Sequence, residues 1–247
     1  MRWLEIEEAF EVARVGRANG VLLSAEHASN RLPEQWDWHD DDTHLVDSHW
    51  AWDPGVRELV LELAEALKTT AVLARFTRLL ADPNRPEGHP ELFRKHADGA
   101  EVALNRQIHT EEAEARVANY YRPYHDQLDR EVAAAPAELC FSVHSFTPVY
   151  QGEPRELEMG VLFNEEDQLA QSLRRHLRDA GYDTRLNEPY SGKAGLIYSI
   201  EQPAIRHRRR ALEIEVRNDL LLDPAKRGQI SERLAAWFRS VTLSGLS

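Results

Sequence analysis

One short apolar segment, from Glu138 to Pro148, constrains the fold of this 247-residue chain more than any other stretch. It reads ELCFSVHSFTP, and Leu139 to Val143 form an unbroken run of apolar and small residues, which is typical of a buried strand. His144 and Ser145 follow where that strand is expected to end. Because ligands in open α/β sheets gather beyond the carboxyl ends of strands, His144 is a candidate metal ligand or general base. A histidine hydrogen-bonded to backbone would give the same pattern.

A second segment repeats this design. Gly20 to Ser24 is a short apolar run, and Glu26, His27 and small polar residues follow it. Two strand ends that each deliver a histidine are harder to ascribe to chance than one. We therefore treat His27 and His144 as members of one candidate site.

Composition excludes several classes of protein. Charged residues make up 29% of the chain and hydrophobic residues 42%, as in ordinary globular proteins. The formal net charge of −12 disfavours nucleic acid and anionic membranes as partners, so an anionic substrate needs a local cluster of arginines. The single cysteine, Cys140, excludes an intrachain disulfide. The first 16 residues, MRWLEIEEAFEVARVG, predict an acidic amphipathic helix rather than a signal peptide or membrane span, and we expect a cytoplasmic protein.

The order of strand and helix patterns predicts a single α/β domain over residues 1–247, in which a mixed sheet is flanked by helices. Further strands are predicted at 70–76, 159–163 and 212–216, and helices at 54–68, 110–134, 165–180 and 224–239. Thr110 is a candidate N-cap for the second of these helices, and Pro123 should interrupt it. No internal repeat or long linker divides the chain.

Asp53 precedes the first predicted helix and has two possible functions. It is well placed to be the N-cap, because Pro54 then occupies the first helical position. A carboxylate at this position could equally reach a metal bound at the strand ends. The sequence leaves both possibilities open.

A proline-bracketed segment follows the strand at 70–76. Pro83 and Pro86 restrict the backbone on either side of Asn84 and Arg85, so these two side chains should be held in place. A guanidinium with an adjacent amide suits recognition of a carboxylate. An isolated Asn-Arg pair is more often a solvated turn.

Two glutamates alternate with apolar residues near the C-terminus. Leu212, Ile214 and Val216 face one side of the predicted strand, so Glu213 and Glu215 face the other. An edge strand with a solvated acidic face would explain this pattern without any catalytic function.

Taken together, the strand ends and loops offer the parts of a metallohydrolase. Two histidines and a carboxylate are a catalytic zinc set that leaves one position open for water, and a free glutamate can serve as general base. Arginines can stabilise an oxyanion and hold an anionic substrate. A serine nucleophile fits less well, because no G-x-S-x-G motif is present. Ser145 is therefore assigned to substrate binding.

Six blocks of the sequence resemble the N-formylglutamate amidohydrolase family, which is similar in layout to the zinc carboxypeptidase and deacylase superfamily. They are S-A-E-H-A-S-N-R-L-P (24–33), H-W-A-W-D-P-G (49–55), T-R-L-L-A-D-P-N-R-P (77–86), S-V-H-S-F-T-P (142–148), N-E-P-Y-S-G (187–192) and E-I-E-V-R-N-D-L (213–220). They follow the family's order and span nearly the whole chain. The resemblance implies a phosphorylase/hydrolase-like α/β fold of the zinc carboxypeptidase type.

The resemblance also implies functions for single residues. It implies zinc ligation by His27 and His144, a substrate-carboxylate site at Asn84 and Arg85, carbonyl polarisation by Arg78, a general base at Glu215, and Tyr190 on a loop over the site. The carboxypeptidase pattern places a glutamate ligand three residues after the first histidine, where this chain has Asn30. A neutral amide is a poor zinc ligand. The third ligand is therefore assigned to Asp53, with Glu26, His49 and Asn30 as alternatives.

The sequence thus predicts a hydrolase with one Zn²⁺ per chain that cleaves the amide of an N-acyl acidic amino acid such as N-formyl-L-glutamate. Its expected partner is a small anionic substrate, not nucleic acid or membrane. Two alternatives remain: a deacylase or carboxypeptidase acting on another N-acyl amino acid or peptide, and a non-catalytic carboxylate-binding protein.

Overall fold

An eight-stranded mixed sheet forms the centre of the protein, and the computed structural model describes residues 4–16 and 20–243. The strands are β1 (Leu4–Ile6), β2 (Phe10–Arg14), β3 (Val21–Ala25), β4 (Thr70–Ala74), β5 (His96–Ala97), β6 (Ala100–Glu101), β7 (Leu139–Phe146), β8 (Val149–Tyr150), β9 (Glu153–Pro154), β10 (Met159–Leu162), β11 (Thr184–Leu186) and β12 (Arg210–Arg217). The sheet order is β1-β2-β4-β3-β7-β12-β10-β11, while β5-β6 and β8-β9 form separate two-stranded ribbons. Strands β4, β3, β7 and β12 run parallel, and β2 and β10 flank them antiparallel.

Helices cover both faces of this sheet. They are α1 (Val56–Leu67), α2 (Thr110–Arg116), α3 (Arg122–Ala134), α4 (Asp167–Asp179), α5 (Tyr198–Arg206), α6 (Asn218–Leu222) and α7 (Pro224–Leu243). Apolar residues of α1, α4 and α7 form a first core on one face, and those of α3 and α5 form a second core on the other. The predicted fold class, a mixed sheet flanked by helices, is confirmed.

Strand β7 lies at the centre of the sheet, as its apolar run predicts. Leu139, Phe141 and Val143 belong to the first core and Cys140 to the second, so the strand is buried on both faces. It continues to Phe146, which places His144 within the strand rather than just beyond its end.

Strand β12 is not an edge strand. It pairs in parallel with β7 along its whole length and antiparallel with β10 on its other side. Glu213 and Glu215 are only 1% and 6% exposed, so their alternation with apolar residues marks a buried polar face and not a solvated one.

The predicted N-terminal helix is wrong. β1 and β2 form an antiparallel pair, and β2 continues the sheet against β4. Phe10 and Val12 are buried, and the neighbouring Glu11 is held by Arg57 at 2.6 Å. The spacing of Ile6, Phe10 and Ala13 suits one face of a helix, whereas that of Phe10 and Val12 suits one face of a strand, and pairing with β4 decides between them. Residues 1–3 of the predicted helix lie outside the described residues.

The predicted helix at 110–134 is confirmed in position but differs at its start. Its N-cap is His109, and Thr110 is the first helical residue. The interruption expected from Pro123 is a π-helical turn at Val117–Tyr121, directly before α3. Because proline has no N–H to donate to the preceding turn, the regular ladder cannot pass through this position.

No helix within residues 4–16 and 20–243 has both the length and the apolar character that crossing a bilayer requires. The assignment of all 247 residues to one domain stays a prediction, because its ends include residues outside the described part.

The first core predicts a large cost for truncating Phe141. Its ring centroid lies 4.8 Å from that of Phe238 in an edge-to-face contact, and the side chain is fully buried. Phe141→Ala should lower the free energy of unfolding by about 3–5 kcal/mol, measured by urea denaturation. Ile205→Ala is the control, because this side chain is 63% exposed and should change stability by less than about 0.5 kcal/mol. Equal losses would contradict the assignment of Phe141 to the core.

Candidate active site

Three adjacent strands carry polar side chains on one face of the sheet. In β7, Ser142 and His144 alternate with the residues of the first core, and in β12 Glu213 and Glu215 do the same. The parallel register places Glu213 opposite Ser142 and Glu215 opposite His144. Strand β3 lies on the other side of β7 and leads into His27. These side chains therefore meet at the carboxyl ends of three parallel strands.

Three donor atoms converge at this edge. The Nδ1 atoms of His27 and His144 lie 3.1 Å apart, and Oδ2 of Asp53 lies 2.9 Å from Nδ1 of His144 and 3.6 Å from Nδ1 of His27. All three side chains are buried. Donors around a tetrahedral Zn²⁺ with bonds of about 2.1 Å are separated by about 3.4 Å, so the three atoms fit such an ion.

Asp53 reaches this position because it does not cap α1. The helix begins at Val56 and its N-cap is Gly55, which adopts a φ of 84°. A side chain at Gly55 would overlap Leu221, so the tight turn requires glycine. The Asp53 carboxylate accepts a hydrogen bond from the backbone N–H of Ser145 at 3.1 Å instead. Of the two possible functions of Asp53, capping of the helix is therefore excluded.

Asp82 ties several groups of the site together. One of its oxygens lies 2.7 Å from Nε2 of His27 and accepts the backbone N–H of Asn84, and the other accepts a hydrogen bond from Arg78 at 2.9 Å. An Nε2–H of His27 held by this carboxylate leaves the Nδ1 lone pair free to bind a metal. Arg78 and His27 hold the pKa of Asp82 well below its usual value, although burial alone would raise it.

The second nitrogen of His144 faces two more carboxylates. Nε2 lies 3.3 Å from Oε1 of Glu26 and 3.4 Å from Oε2 of Glu213, and all three atoms are buried. Glu26 also accepts a hydrogen bond from Ser142 at 2.8 Å. This arrangement favours a proton on Nε2, so that Nδ1 of His144 points its lone pair towards His27 and Asp53.

The two glutamates of β12 have raised pKa values. Burial raises the pKa of Glu213 well above its usual value, with His144 opposing and Glu215 reinforcing the shift. Burial also raises the pKa of Glu215 to about 8, against the lowering effect of His144. A carboxyl group with a pKa near neutrality is suited to exchange protons at physiological pH.

A cavity of about 200 Å³ lies beside the donors. Its wall includes His27, His144, Asp53 and Glu215, whereas the buried Glu26 and Glu213 do not line it. Glu215 is therefore the glutamate of β12 that a bound molecule can contact. Its Oε2 is buried and has no hydrogen-bond partner among the described residues.

The arginines and the asparagine predicted for the site also line the cavity. Arg78 is held by Asp82, and its NH1 lies 3.6 Å from Oδ1 of Asp53. The amide of Asn84 is engaged at both ends, because it donates to the carbonyl of Leu196 and accepts from the N–H of Ser199. Asn84 thus anchors a neighbouring loop. The positive charge of this segment is carried by the guanidinium of Arg85, which also lines the cavity.

Tyr190 and Ser145 lie on the cavity wall as well. The loop of Tyr190 packs closely on β10, where a side chain at Gly160 would overlap the backbone oxygen of Glu188. Asn187 fixes the loop by accepting backbone N–H bonds through its side chain. The Ser145 hydroxyl donates to the carbonyl of Pro54 at 3.3 Å, so its contact with a bound molecule stays a prediction.

The structure distinguishes the alternatives for the third ligand. Asn30 donates to the carbonyl of Val46 and to Asp47, away from the donors. His49 lines the cavity, but it belongs to neither group of described residues whose atoms could share a metal. Glu26 approaches Nε2 of His144, outside the cavity wall. Asp53 is the alternative whose carboxylate lies on the cavity wall and within 3.6 Å of both histidine Nδ1 atoms.

Sequence reasoning missed some residues of this site. Asp82 stands in the quoted block T-R-L-L-A-D-P-N-R-P but received no function, because its contact with His27 joins residues 55 positions apart. Arg94 lines the cavity from a loop outside the quoted blocks, and Trp50 lines it from the block H-W-A-W-D-P-G, in which it received no function. A basic residue near an aromatic one was the available signal, and it is too common to be diagnostic.

A mixed α/β sheet with a histidine–carboxylate cluster at the ends of its parallel strands is typical of metal-dependent hydrolases. The family model of N-formylglutamate amidohydrolase matches residues 19–222. This match covers well over half of the chain, so the protein belongs to the N-formylglutamate amidohydrolase family and is a hydrolase. The resemblance inferred from the sequence blocks is confirmed, and membership of an enzyme family argues against a non-catalytic binding protein.

Two solved structures are similar to the protein over nearly its whole length. Gene product Atu2144 from Agrobacterium tumefaciens shares 29% identity with a TM-score of 0.88, over 96% of each chain. N-formylglutamate amidohydrolase from Ralstonia eutropha JMP134 shares 20% identity with a TM-score of 0.77, over 96% of this chain and 98% of the other. The second likeness supports the fold. A search of curated proteins found no match.

The donor geometry predicts the metal content of ligand variants. Purified protein supplied with zinc should hold about one ion per chain, and His27→Ala or His144→Ala should each lose most of it. The fold should persist, because these side chains lie at the carboxyl ends of the strands and belong to neither apolar core. Elemental analysis with far-UV circular dichroism measures both properties.

The matched control for these variants is His176→Ala, since His176 lies in α4 and contacts the carbonyl of Arg233. It should retain zinc like the parent protein. Full zinc occupancy in both His27→Ala and His144→Ala would exclude the assigned donors.

Proposed function

We propose that this protein is a zinc-dependent amidohydrolase that cleaves the amide of an N-acyl acidic amino acid, with N-formyl-L-glutamate as the favoured substrate. The observation that carries the proposal is one cavity that joins the donors of His27, His144 and Asp53 with a buried glutamate and three arginines. Family membership supports the reaction type and the choice of substrate.

The residues present fit a zinc ion. His27 and His144 would bind through Nδ1 and Asp53 through Oδ2, and Asp82 and Glu26 would hold the opposite nitrogens of the two imidazoles. When bound, the ion supplies Lewis-acid polarisation of the scissile carbonyl and makes the attacking water more acidic.

Glu215 is the proposed general base. It lies on the cavity wall, and burial raises the pKa of its carboxyl to about 8, so its ionised form accepts a proton more readily than an exposed glutamate does. As water adds to the amide carbon, Glu215 takes a proton from it. The proton then passes to the departing nitrogen as the C–N bond breaks, which yields a carboxylic acid, formic acid for a formyl substrate, and a free amino group.

Arg78 is the proposed oxyanion stabiliser. Its guanidinium lies on the cavity wall beside Asp53, and its Nε is buried without a partner among the described residues. The Asp82 carboxylate raises the pKa of Arg78, although burial opposes the shift, so the side chain stays charged. A positive charge held in place before the reaction stabilises the developing negative charge on the carbonyl oxygen.

The size of the cavity favours a small substrate. A volume of about 200 Å³ is below the range of about 300–1,000 Å³ found for pockets that hold drug-sized ligands. An amino acid with a short acyl group fits this space better than a peptide does. The deacylase alternative on another N-acyl amino acid is therefore closer to the geometry than a carboxypeptidase.

Glu215→Gln tests the mechanism most sharply. The variant keeps the shape of the side chain but cannot accept a proton, so kcat for N-formyl-L-glutamate should fall by roughly 10²–10⁴-fold. Zinc content and substrate binding should change little, because Glu215 does not belong to the donor set. Formate release, elemental analysis and calorimetry measure the three quantities.

Glu213→Gln is the matched control, because Glu213 stands two residues away on the same strand face but is not part of the cavity wall. With saturating zinc it should retain kcat within about tenfold, since it does not line the cavity and its side-chain contact is with Nε2 of His144. Loss of turnover in Glu213→Gln with retention in Glu215→Gln would show that the wrong carboxylate has been chosen.

A further inference from the structure

Three guanidinium groups line the cavity, but only one of them is neutralised inside the protein. Arg78 is held by the buried carboxylates of Asp82 and Asp53. Arg85 and Arg94 have no comparable partner within residues 4–16 and 20–243. The cavity therefore presents two further positive charges to whatever it binds.

Arg85 is anchored through backbone rather than through a carboxylate. Its NH1 donates to the carbonyl of Asn84 at 3.2 Å, and its Nε is buried without a hydrogen-bond partner among the described residues. It follows directly on the segment in which Asp82 contacts His27. Arg85 stands three residues after Asp82, and its backbone N–H donates to the carbonyl of Asp82 at 3.1 Å. The backbone of Arg85 is therefore fixed relative to the metal donors.

Arg94 reaches the same cavity from a different loop. Its only carboxylate partner among the described residues is Glu91 at 3.2 Å, a side chain that is 45% exposed, so solvent screens the pair. The guanidinium lies over the ring of Trp50, 5.6 Å from the centroid, which orients its plane. Its own side chain is 20% exposed.

The surroundings of Arg94 in the cavity disfavour the charged form of its guanidinium. Burial lowers the pKa of its guanidinium, and the like charge of Arg78 lowers it further, against the opposing effect of Asp82. An anion placed beside Arg94 would relieve both costs, because it replaces lost solvation and offsets the neighbouring positive charge.

We propose that Arg94, with Trp50 beneath it, binds the side-chain carboxylate of an N-acyl acidic amino acid while Arg85 binds the α-carboxylate. The proposal rests on the function inferred above, because it takes its two anions from that substrate class. In an N-acyl amino acid the α-carboxylate has a fixed separation from the scissile amide, which suits the rigid segment of Arg85. The side-chain carboxylate is farther along a flexible chain, which suits the separate loop of Arg94.

This division of functions makes Arg94 a specificity-determining residue. A substrate that lacks the second carboxylate would still be held by Arg85 but would leave the guanidinium of Arg94 without an anion. N-formyl-L-glutamate and N-formyl-L-glutamine differ in this group alone and have nearly the same shape. They are therefore the matched pair of probes.

The experiment measures kcat/KM of the zinc-loaded enzyme for both substrates in Arg94→Gln, Arg85→Gln and Arg206→Gln. Arg94→Gln should lose roughly 30- to 100-fold on N-formyl-L-glutamate, the usual cost of truncating one partner of a buried charged pair, and less than about threefold on N-formyl-L-glutamine. Arg85→Gln should lose similar factors on both. Arg206, whose exposed side chain pairs with Asp129, is the remote control and should lose nothing.

Equal losses on both substrates in Arg94→Gln, or no loss on either, would overturn the proposal. If Arg94→Gln does not fold, Arg94→Lys serves instead, and it must still lower the preference for the glutamate over the glutamine substrate. Calorimetry with the free amino acids L-glutamate and L-glutamine separates this proposal from the proposed reaction. Hydrolysis of neither substrate by the parent enzyme would contradict the reaction, whereas glutamate binding that is insensitive to Arg94→Gln would contradict the assignment of Arg94.

Discussion

The carboxylate of Asp82 is the interaction on which the rest of the site depends. It holds Nε2 of His27, the guanidinium of Arg78 and the backbone of Asn84 at 2.7–2.9 Å. A metal donor, a proposed oxyanion stabiliser and the start of the substrate-binding segment therefore share one buried anion. Loss of that anion would leave the largely buried guanidinium of Arg78 without its nearest carboxylate, which is costly where solvation is reduced.

The parallel pairing of β7 with β12 is the second requirement. It sets Glu215 opposite His144 and Glu213 opposite Ser142, so that one sheet face is polar where the other is apolar. The carboxylates of the polar face differ in their access to the cavity. Glu215 borders the cavity, whereas Glu213 and Glu26 lie behind His144 and orient its ring.

Much of the fold follows from the sequence, because buried strands and long amphipathic helices have clear periods. The blocks around His27 and His144 also predicted which loops meet. The alternation of Glu213 and Glu215 with apolar residues could not show whether the glutamates face solvent or a buried site. A strand with one face in either environment has polar side chains at every second position. Contacts between residues distant in the chain, such as that of Asp82 with His27, leave no local pattern. The sequence could not exclude Asp53 as a helix cap, because the close packing of Gly55 against Leu221, which makes Gly55 the N-cap, is a contact between distant residues.

Anomalous X-ray diffraction at the zinc absorption edge tests the central claim most directly, using crystals of the full chain grown with zinc. One peak should lie about 2.0–2.2 Å from Nδ1 of His27, Nδ1 of His144 and a carboxylate oxygen of Asp53. A peak on the opposite side of the His144 ring, between Glu26 and Glu213, or the absence of bound zinc from both positions, would contradict the assigned metal site.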